Sequence, residues 1–334
     1  MLTYILRRVF QMGLTLFIVS IISFLIVALA PGDPLASQLD PKKTDADLER
    51  RRDEIGYDDP VVKKYLDFYG KFFSDLWAVA TPSTSEGDHT WKLTSETSKE
   101  SVLPTMWRKA KVTLPLIIID TLVIWSLSFP IGIYSALRRN TFKDRAITVI
   151  SYTLIAFPGF WISILIIGFF TKTLGIPIVS PETIGVELEG PREFFDRTWH
   201  VAIPAMVASL TGVATLTRYV KGQMLEVMDH DYIRTAKAKG LDRDTVYYKH
   251  ALRPAALPFI TMLAGLLPSV FGGSVVFEAI FGWPGLGRWV FEAVFTRDIY
   301  IVMASLFVGS ALTLIGILIS DIMLSVVDPR VRLS

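Results

Sequence analysis

Few residues in this sequence could do covalent chemistry. It has four histidines and no cysteine in 334 residues. Without cysteine there is no disulfide and no thiolate metal site. The histidines show no metal-ligand spacing such as H-E-x-x-H, and no G-x-x-x-x-G-K-[ST] loop is present to cradle a phosphate. His200 reads as a helix-start or interfacial residue. What remains is a set of carboxylates in or beside apolar stretches, Asp120, Glu278 and Asp321, and a polar basic island from Asp229 to Pro258. A carboxylate well inside a bilayer costs roughly 2.5 to 3.5 kcal/mol on insertion scales unless it faces protein or water. Asp120 is therefore expected to face a bundle interior, as a solute-pathway contact or as a polar contact between helices. Asp321 reads as a structural partner for a cytoplasmic Arg or Lys.

These residues sit in a strongly apolar chain. It is 51% hydrophobic with a mean hydropathy of +0.44, which points to a polytopic, all-α membrane protein. A net charge of +2 argues neither for nucleic acid nor for a strongly acidic partner. Six apolar runs read as spanning helices, at about 9–30, 112–137, 146–174, 200–220, 255–277 and 301–327. The first is too long for a signal-peptide core, and Pro31 follows the would-be cleavage site Ala28-Leu29-Ala30. Pro158 is expected to kink the third span. Pro258 and Pro268, with small residues including Gly272 and Gly273, interrupt the fifth and suit a bundle that opens and closes.

Three parts follow: a tail and first span, 1–30; an external segment, 31–110; and a five-helix core, 111–334, containing the loop 221–254. Within the external segment, residues 60–79 are predicted to form an amphipathic helix on the membrane surface or against the bundle. Thr81 to Ser101 reads as a mobile loop, and Phe281 to Gly287 as a tight Gly- and Pro-rich outer turn. Basic residues favour one side: Arg7 and Arg8, then Arg138, Arg139, Lys143 and Arg145, then the basic island. Fewer lie in the outer loops, so both termini are expected in the cytoplasm.

The basic island reads as two helices around Gly240. Tyr232 to Lys239 is the first, which Gly240 is suited to stop. The second starts at Asp242 or Asp244 and ends at Pro254. By itself this is either a solvated loop or a helical elbow that docks on a partner. The string DYIRTAKAKGL, Asp231 to Leu241, followed by His250-Ala-Leu-Arg-Pro254 and Ala256-Leu-Pro258, closely resembles the cytoplasmic coupling loop of permease subunits of ATP-binding-cassette importers. It is most similar to the dipeptide and oligopeptide branch. The general motif begins Glu-Ala-Ala; here Arg234, Thr235 and Ala236 take those places, with Gly240 in step. The resemblance continues at Ala30 to Pro34, Phe157 to Trp161, Trp199 to Ala205, Met224 to Val227, Phe281 to Gly287, and Asp328 to Arg330.

The resemblance implies a type I importer permease with six spanning helices in a bacterial cytoplasmic membrane. It also implies a homologous second permease, two ATPase subunits that bind ATP and Mg, and an external substrate-binding protein. The chain itself would hold no cofactor and catalyse no reaction. Tyr232, Thr235, Ala236, Gly240, Leu241, Asp242, Val246 and His250 would couple it to the ATPases. Asp120, Pro158, Gly272, Gly273 and Glu278 are candidates for the pathway or its gate. Peptides are the expected solute, with nickel chelates or oligosaccharides as variants of the same family. A secondary transporter would show paired mid-membrane ionisable residues and inverted repeats, and an intramembrane metalloprotease a metal-binding dyad; neither pattern is evident.

Overall fold

The computed structural model describes residues 2–29, 59–80, 91–95, 97–176, 178–180, 190–272 and 275–327. The motifs at Pro31 to Pro34 and Asp328 to Arg330, residues 81–90 and Gly273 lie outside them. Among the described residues the regular structure is helical, apart from one isolated bridge between Thr94 and Ser101. The first helices are α1 Leu2–Ala28, α2 Val61–Ala80, α3 Val102–Leu137, α4 Phe142–Ala156, α5 Gly159–Gly168 with a π-helical end, and α6 Pro191–Met228. Then come α7 Asp231–Ala238, a π-helical turn Thr245–Ala251 running into α8 Leu252–Ala255, α9 Leu257–Met262, α10 Ser269–Gly272, α11 Val275–Ile280, α12 Leu286–Phe295 and α13 Ile299–Val327.

Four stretches, Leu6–Ala28, Val102–Leu137, Thr198–Met228 and Ile299–Val327, are each long and apolar enough to cross a membrane. Two bent pairs bring the number to six if each crosses once: α4 with α5, at 93°, and Leu257–Gly265 with Ser269–Ile280, at 43°. Two boundaries differ from the sequence reading. Helix α3 begins ten residues before the apolar run, and α6 begins at Pro191, so His200 lies inside a helix instead of starting one. Apolarity marks the hydrocarbon-spanning part; helical hydrogen bonding continues past it. At 1.5 Å per residue α3 is about 54 Å long, well beyond the roughly 30 Å of hydrocarbon.

The chain divides into two compact units, one formed by residues 1–111 and 285–315, the other by 112–284 and 316–332. In the first, α2 turns an aromatic stripe inward, with Phe68, Tyr69 and Phe72 all buried. The Tyr65 hydroxyl hydrogen-bonds the Ser20 hydroxyl of α1 at 2.7 Å, and the rings of Phe68 and Phe72 pack on Tyr300 and Phe307 of α13. Of the two placements foreseen for this amphipathic helix, it takes the one against other helices.

The described part of the supposed mobile loop is ordered, and two carboxylates explain why. Asp75 of α2 accepts backbone N–H bonds from Lys92 and Leu93, the latter at 2.8 Å. Asp298 accepts from the Ser95 hydroxyl at 2.5 Å, the Thr97 N–H at 3.1 Å and the Ile301 N–H at 3.3 Å. Leu93 is fully buried between these anchors. A composition rich in Ser, Thr, Glu and Lys suggested solvent; instead its polar groups are collected by acceptors far away in sequence. After the turn at Gly282 the chain forms α12, which the sequence reading did not foresee.

In the second unit Pro158 ends α4 outright. The residue before a proline is pushed out of the helical region, and Phe157 is extended at φ −92°, ψ 133°. Phe157 then stacks on Trp161 in the first turn of α5. The expected kink is a 93° break. Close helix contacts rely on absent side chains: a methyl on Gly132 of α3 would strike Thr217 and Val220 of α6, and one on Gly316 of α13 would strike the Ala264 carbonyl.

Candidate coupling elbow and membrane carboxylates

The polar island folds as the expected elbow. Helix α7 covers Asp231–Ala238, and Gly240 follows with φ +75°, a left-handed conformation that side-chain-bearing residues enter at a cost of roughly 1 to 2 kcal/mol. The Lys239 N–H donates to Thr235 and the Gly240 N–H to Lys237, both at 3.0 Å, closing the helix end. Asp242 opens the second arm by accepting from the Thr245 N–H at 2.9 Å. That arm is π-helical from Thr245 to Ala251 and continues into α8, which ends at Ala255, one residue past the expected end at Pro254.

One hydrophobic cluster fixes the elbow to its own chain. Ile233 and Ala236 of α7 and Val246 of the second arm pack with Val220, Met224 and Val227 of α6 and Ile133 of α3. Ile233 is fully buried and Val246 is 1% exposed, so the inward stripe of α7 is Ile233 and Ala236. Ala236 is 8% exposed although Tyr232, one turn earlier, remains largely outside. The outward residues are Tyr232, 46% exposed, Leu241, 42% exposed, and Thr235, Gly240 and Asp242. His250 is half-buried. Partial burial raises the Tyr232 phenol pKa, and the Thr245 hydrogen bonds hold the exposed Asp242 carboxyl below its usual range.

The membrane carboxylates have different surroundings. Glu278 is fully buried and accepts the Thr113 hydroxyl of α3 at 2.7 Å. Its carbonyl accepts the Trp283 N–H at 2.7 Å, and the Trp283 indole donates to the Val112 carbonyl at 3.0 Å. This is a tie between α3 and the α11 turn, with no open face toward a solute. Asp120 is partly buried, and its Oδ1 has no hydrogen-bond partner among the described residues. One helical turn further along α3, Ile124 and Trp125 line a 710 Å³ groove with Thr211, Thr215 and Tyr219 of α6 and Met262 of α9. Gly272 closes α10. Among the described residues no cluster of His, Asp and Glu could hold a metal ion.

Residues 128–333 match the family described as the inner membrane component of binding-protein-dependent transport systems, and residues 1–117 match the N-terminal part of such membrane components. The chain belongs to this permease family. Among its relatives is the oligopeptide transport system permease protein AppB of Bacillus subtilis (strain 168), 36% identical over 333 residues, 99% of this chain and 100% of that protein. The di/tripeptide transport system permease protein DppB of Pseudomonas aeruginosa (strain UCBPP-PA14) is 29% identical, covering 99% of both chains. The glutathione transport system permease protein GsiC of Escherichia coli (strain K12) is 28% identical, again over 99% of each. As a permease the chain is a translocation subunit of the inner membrane, served by a binding protein and by ATPase partners.

Several residues that shape this permease escaped the sequence reading. Ile233 was legible in principle, since it lies three residues before Ala236 and so on the same helix face. Asp144 follows Thr141 by three residues, the spacing of a capping box, and the Thr141 hydroxyl does accept its N–H. Asp75 gave no local signal, because its partners lie 17 and 18 residues away; Asp298 carries the local signal of a helix cap through the Ile301 N–H, but its bonds to Ser95 and Thr97 span 203 and 201 residues.

Proposed function

We propose that this permease moves peptides inward across the membrane, paired with a second, homologous permease and driven by two ATPases that grip the elbow. Both termini lie in the cytoplasm, residues 31–110 on the outer side, and 111–334 form the translocating core. The observation that carries the coupling reading is the two-sided elbow. One side is welded by Ile233, Ala236 and Val246 to α6 and α3, while Tyr232 and Leu241 stand outward, each nearly half exposed. An exposed aromatic and an exposed leucine beside a left-handed glycine suit a groove on another protein. Thr235 and Asp242 lie on this outward side and complete the contact, whereas Ala236 and Val246 transmit it and His250 flanks the second arm. Rigid motion of the gripped elbow then tilts α6 and switches access between the two membrane faces.

Peptide as the solute is supported by the full-length relatives, whose names specify oligopeptides, di- and tripeptides, and glutathione. The groove beside Ile124 and Trp125, with Asp120 one turn away, is our candidate for part of the pathway. Its mainly apolar walls suit solutes of varied side chain. Pro158 sits at the break that lets its span bend, Gly272 ends α10 beyond the 43° bend, Gly273 remains a gating candidate from sequence, and Glu278 acts as a latch holding α11 to α3.

The test is co-purification of the tagged chain from its native membrane, followed by reconstitution with its companions and peptide uptake. Recovery of ATPases and a second permease, with ATP-dependent uptake of short peptides, is expected. A chain recovered alone that still transports without ATP overturns the coupling reading; ATP-driven uptake of a non-peptide solute alone overturns the peptide assignment.

A further inference from the structure

A single buried carboxylate ties α3, α4 and α6 together away from the elbow's core. Asp144, in the first turn of α4, is 5% exposed. The Ser135 hydroxyl of α3 and the Lys221 ammonium of α6 both donate to its Oδ1 at 2.5 Å, and the Asn140 N–H donates to Oδ2 at 3.0 Å. Asn140 itself is left-handed at φ 67°, so the turn joining α3 to α4 closes on the same group. Lys221 also donates to the Thr148 hydroxyl at 3.0 Å. One turn earlier on α6, the Arg218 guanidinium lies 3.9 Å from the centroid of the Tyr152 ring and donates to its hydroxyl at 2.9 Å.

The spacing makes this a ladder. Asp144, Thr148 and Tyr152 follow one another every four residues along one face of α4, while Arg218 and Lys221 are three apart on α6. A buried ion pair contributes little net stability over well-packed apolar side chains, but it can fix one register between two helices. That register matters because of what lies at either end. Helix α6 runs unbroken from Lys221 to Met228, and the cluster of Val220, Met224, Val227 and Ile233 joins it to the elbow. Helix α4 ends at the 93° break before α5.

We propose that Lys221 and Asp144 are positioning residues that carry the elbow's displacement from α6 into α4 and so to the hinge at Pro158. The proposal rests on the elbow being the ATPase contact. A shift of α6 by a single residue's rise, about 1.5 Å, would break the bonds to Asp144 unless α4 followed. The bent span therefore moves with the elbow. Arg218 on Tyr152 is the second, more exposed rung.

The claim concerns coupling, so it needs a coupling measurement. The intact complex of this chain, its second permease and its ATPases is reconstituted in vesicles, and solute molecules taken up per ATP hydrolysed are measured. If the unaltered chain retains no ATPase, the elbow reading fails whatever the ladder does. With ATPases retained, Lys221→Met and Asp144→Asn each lower the uptake-to-hydrolysis ratio about tenfold while hydrolysis persists. The double variant is no worse than either single one, because both remove the same link. Lys221→Arg keeps the ratio. An unchanged ratio in Lys221→Met, or losses that multiply in the double variant, overturns the proposal. Should Lys221→Met fail to accumulate, the double variant, which leaves no charge unpaired, takes its place, and a normal ratio there overturns the proposal equally.

Discussion

The elbow at 231–255 and the segment at 91–101 are both polar stretches outside the long apolar helices, and they handle their polar groups in opposite ways. The 91–101 segment gives its backbone N–H groups to Asp75 and Asp298 and buries Leu93 completely. The elbow buries Ile233 and Val246 but leaves Tyr232 and Leu241 nearly half exposed. One segment is finished by its own chain; the other leaves two large side chains partly exposed, the side we propose as half of a contact. Polar composition alone does not separate the two cases. The separation comes from where the carboxylate acceptors lie and from which apolar side chains remain outside.

The largest effect that could break this comparison is at Gly240. A side chain there meets nothing within 4 Å in this chain. Asp and Asn are also the residues that best tolerate its left-handed backbone. Gly240→Asp and Gly240→Asn are therefore expected to leave folding and membrane insertion intact while abolishing ATP-coupled uptake, because the obstruction falls on the partner. Normal uptake by Gly240→Asn would remove the docking role from the elbow's turn.

Next comes the self-contained segment. Asp298→Ala leaves the Ser95 hydroxyl and the Thr97 and Ile301 N–H groups without their acceptor, a loss of about 3 kcal/mol. The expected signs are a lower melting temperature in detergent and new protease cleavage within 91–101. An unchanged cleavage pattern would mean that residues other than Asp298 hold the segment.

A paired substitution sharpens the contrast inside the elbow. Val246→Ala, from a site 1% exposed, is expected to cost about 2 kcal/mol of stability through the cavity it leaves. Leu241→Ala should change stability by less than about 0.5 kcal/mol yet reduce the ATPase that co-purifies with the chain. Equal stability losses from the two would mean that the inward and outward sides were assigned wrongly.

The sequence was legible where physics is local. Apolar runs, the helical stripe of α2, the left-handed role of Gly240 and the cap at Asp242 each depend on residues a few positions apart. Membership of the permease family was legible because residues 231–258 form a long, specific string. What failed was non-local or conformational. The inward packing of Ala236 on α6 and α3 was not legible, because it depends on residues far away in sequence. The burial of Glu278 and its bond from Thr113 were likewise invisible, because the two residues are 165 positions apart.

The smallest effect concerns Asp242, and there the sign follows from the shift. The Thr245 hydrogen bonds hold its carboxyl below the usual carboxylate range, so the folded state favours the ionised form. A depressed folded-state value means that the cap is fully formed above the ordinary carboxylate pKa and lost as pH falls through the depressed one. At neutral pH, Asp242→Ala should therefore speed hydrogen exchange at the Thr245 amide, and acidification of the unaltered chain below the ordinary carboxylate range should do the same. Asp242 is fully exposed, so solvent screens this contribution and overall melting should barely move. Uptake should fall only if the second arm must be ordered before the ATPases arrive. If Asp242→Ala frays the arm while uptake persists, the partner itself orders the arm on docking, and the elbow's outward side is completed by binding instead of being preformed.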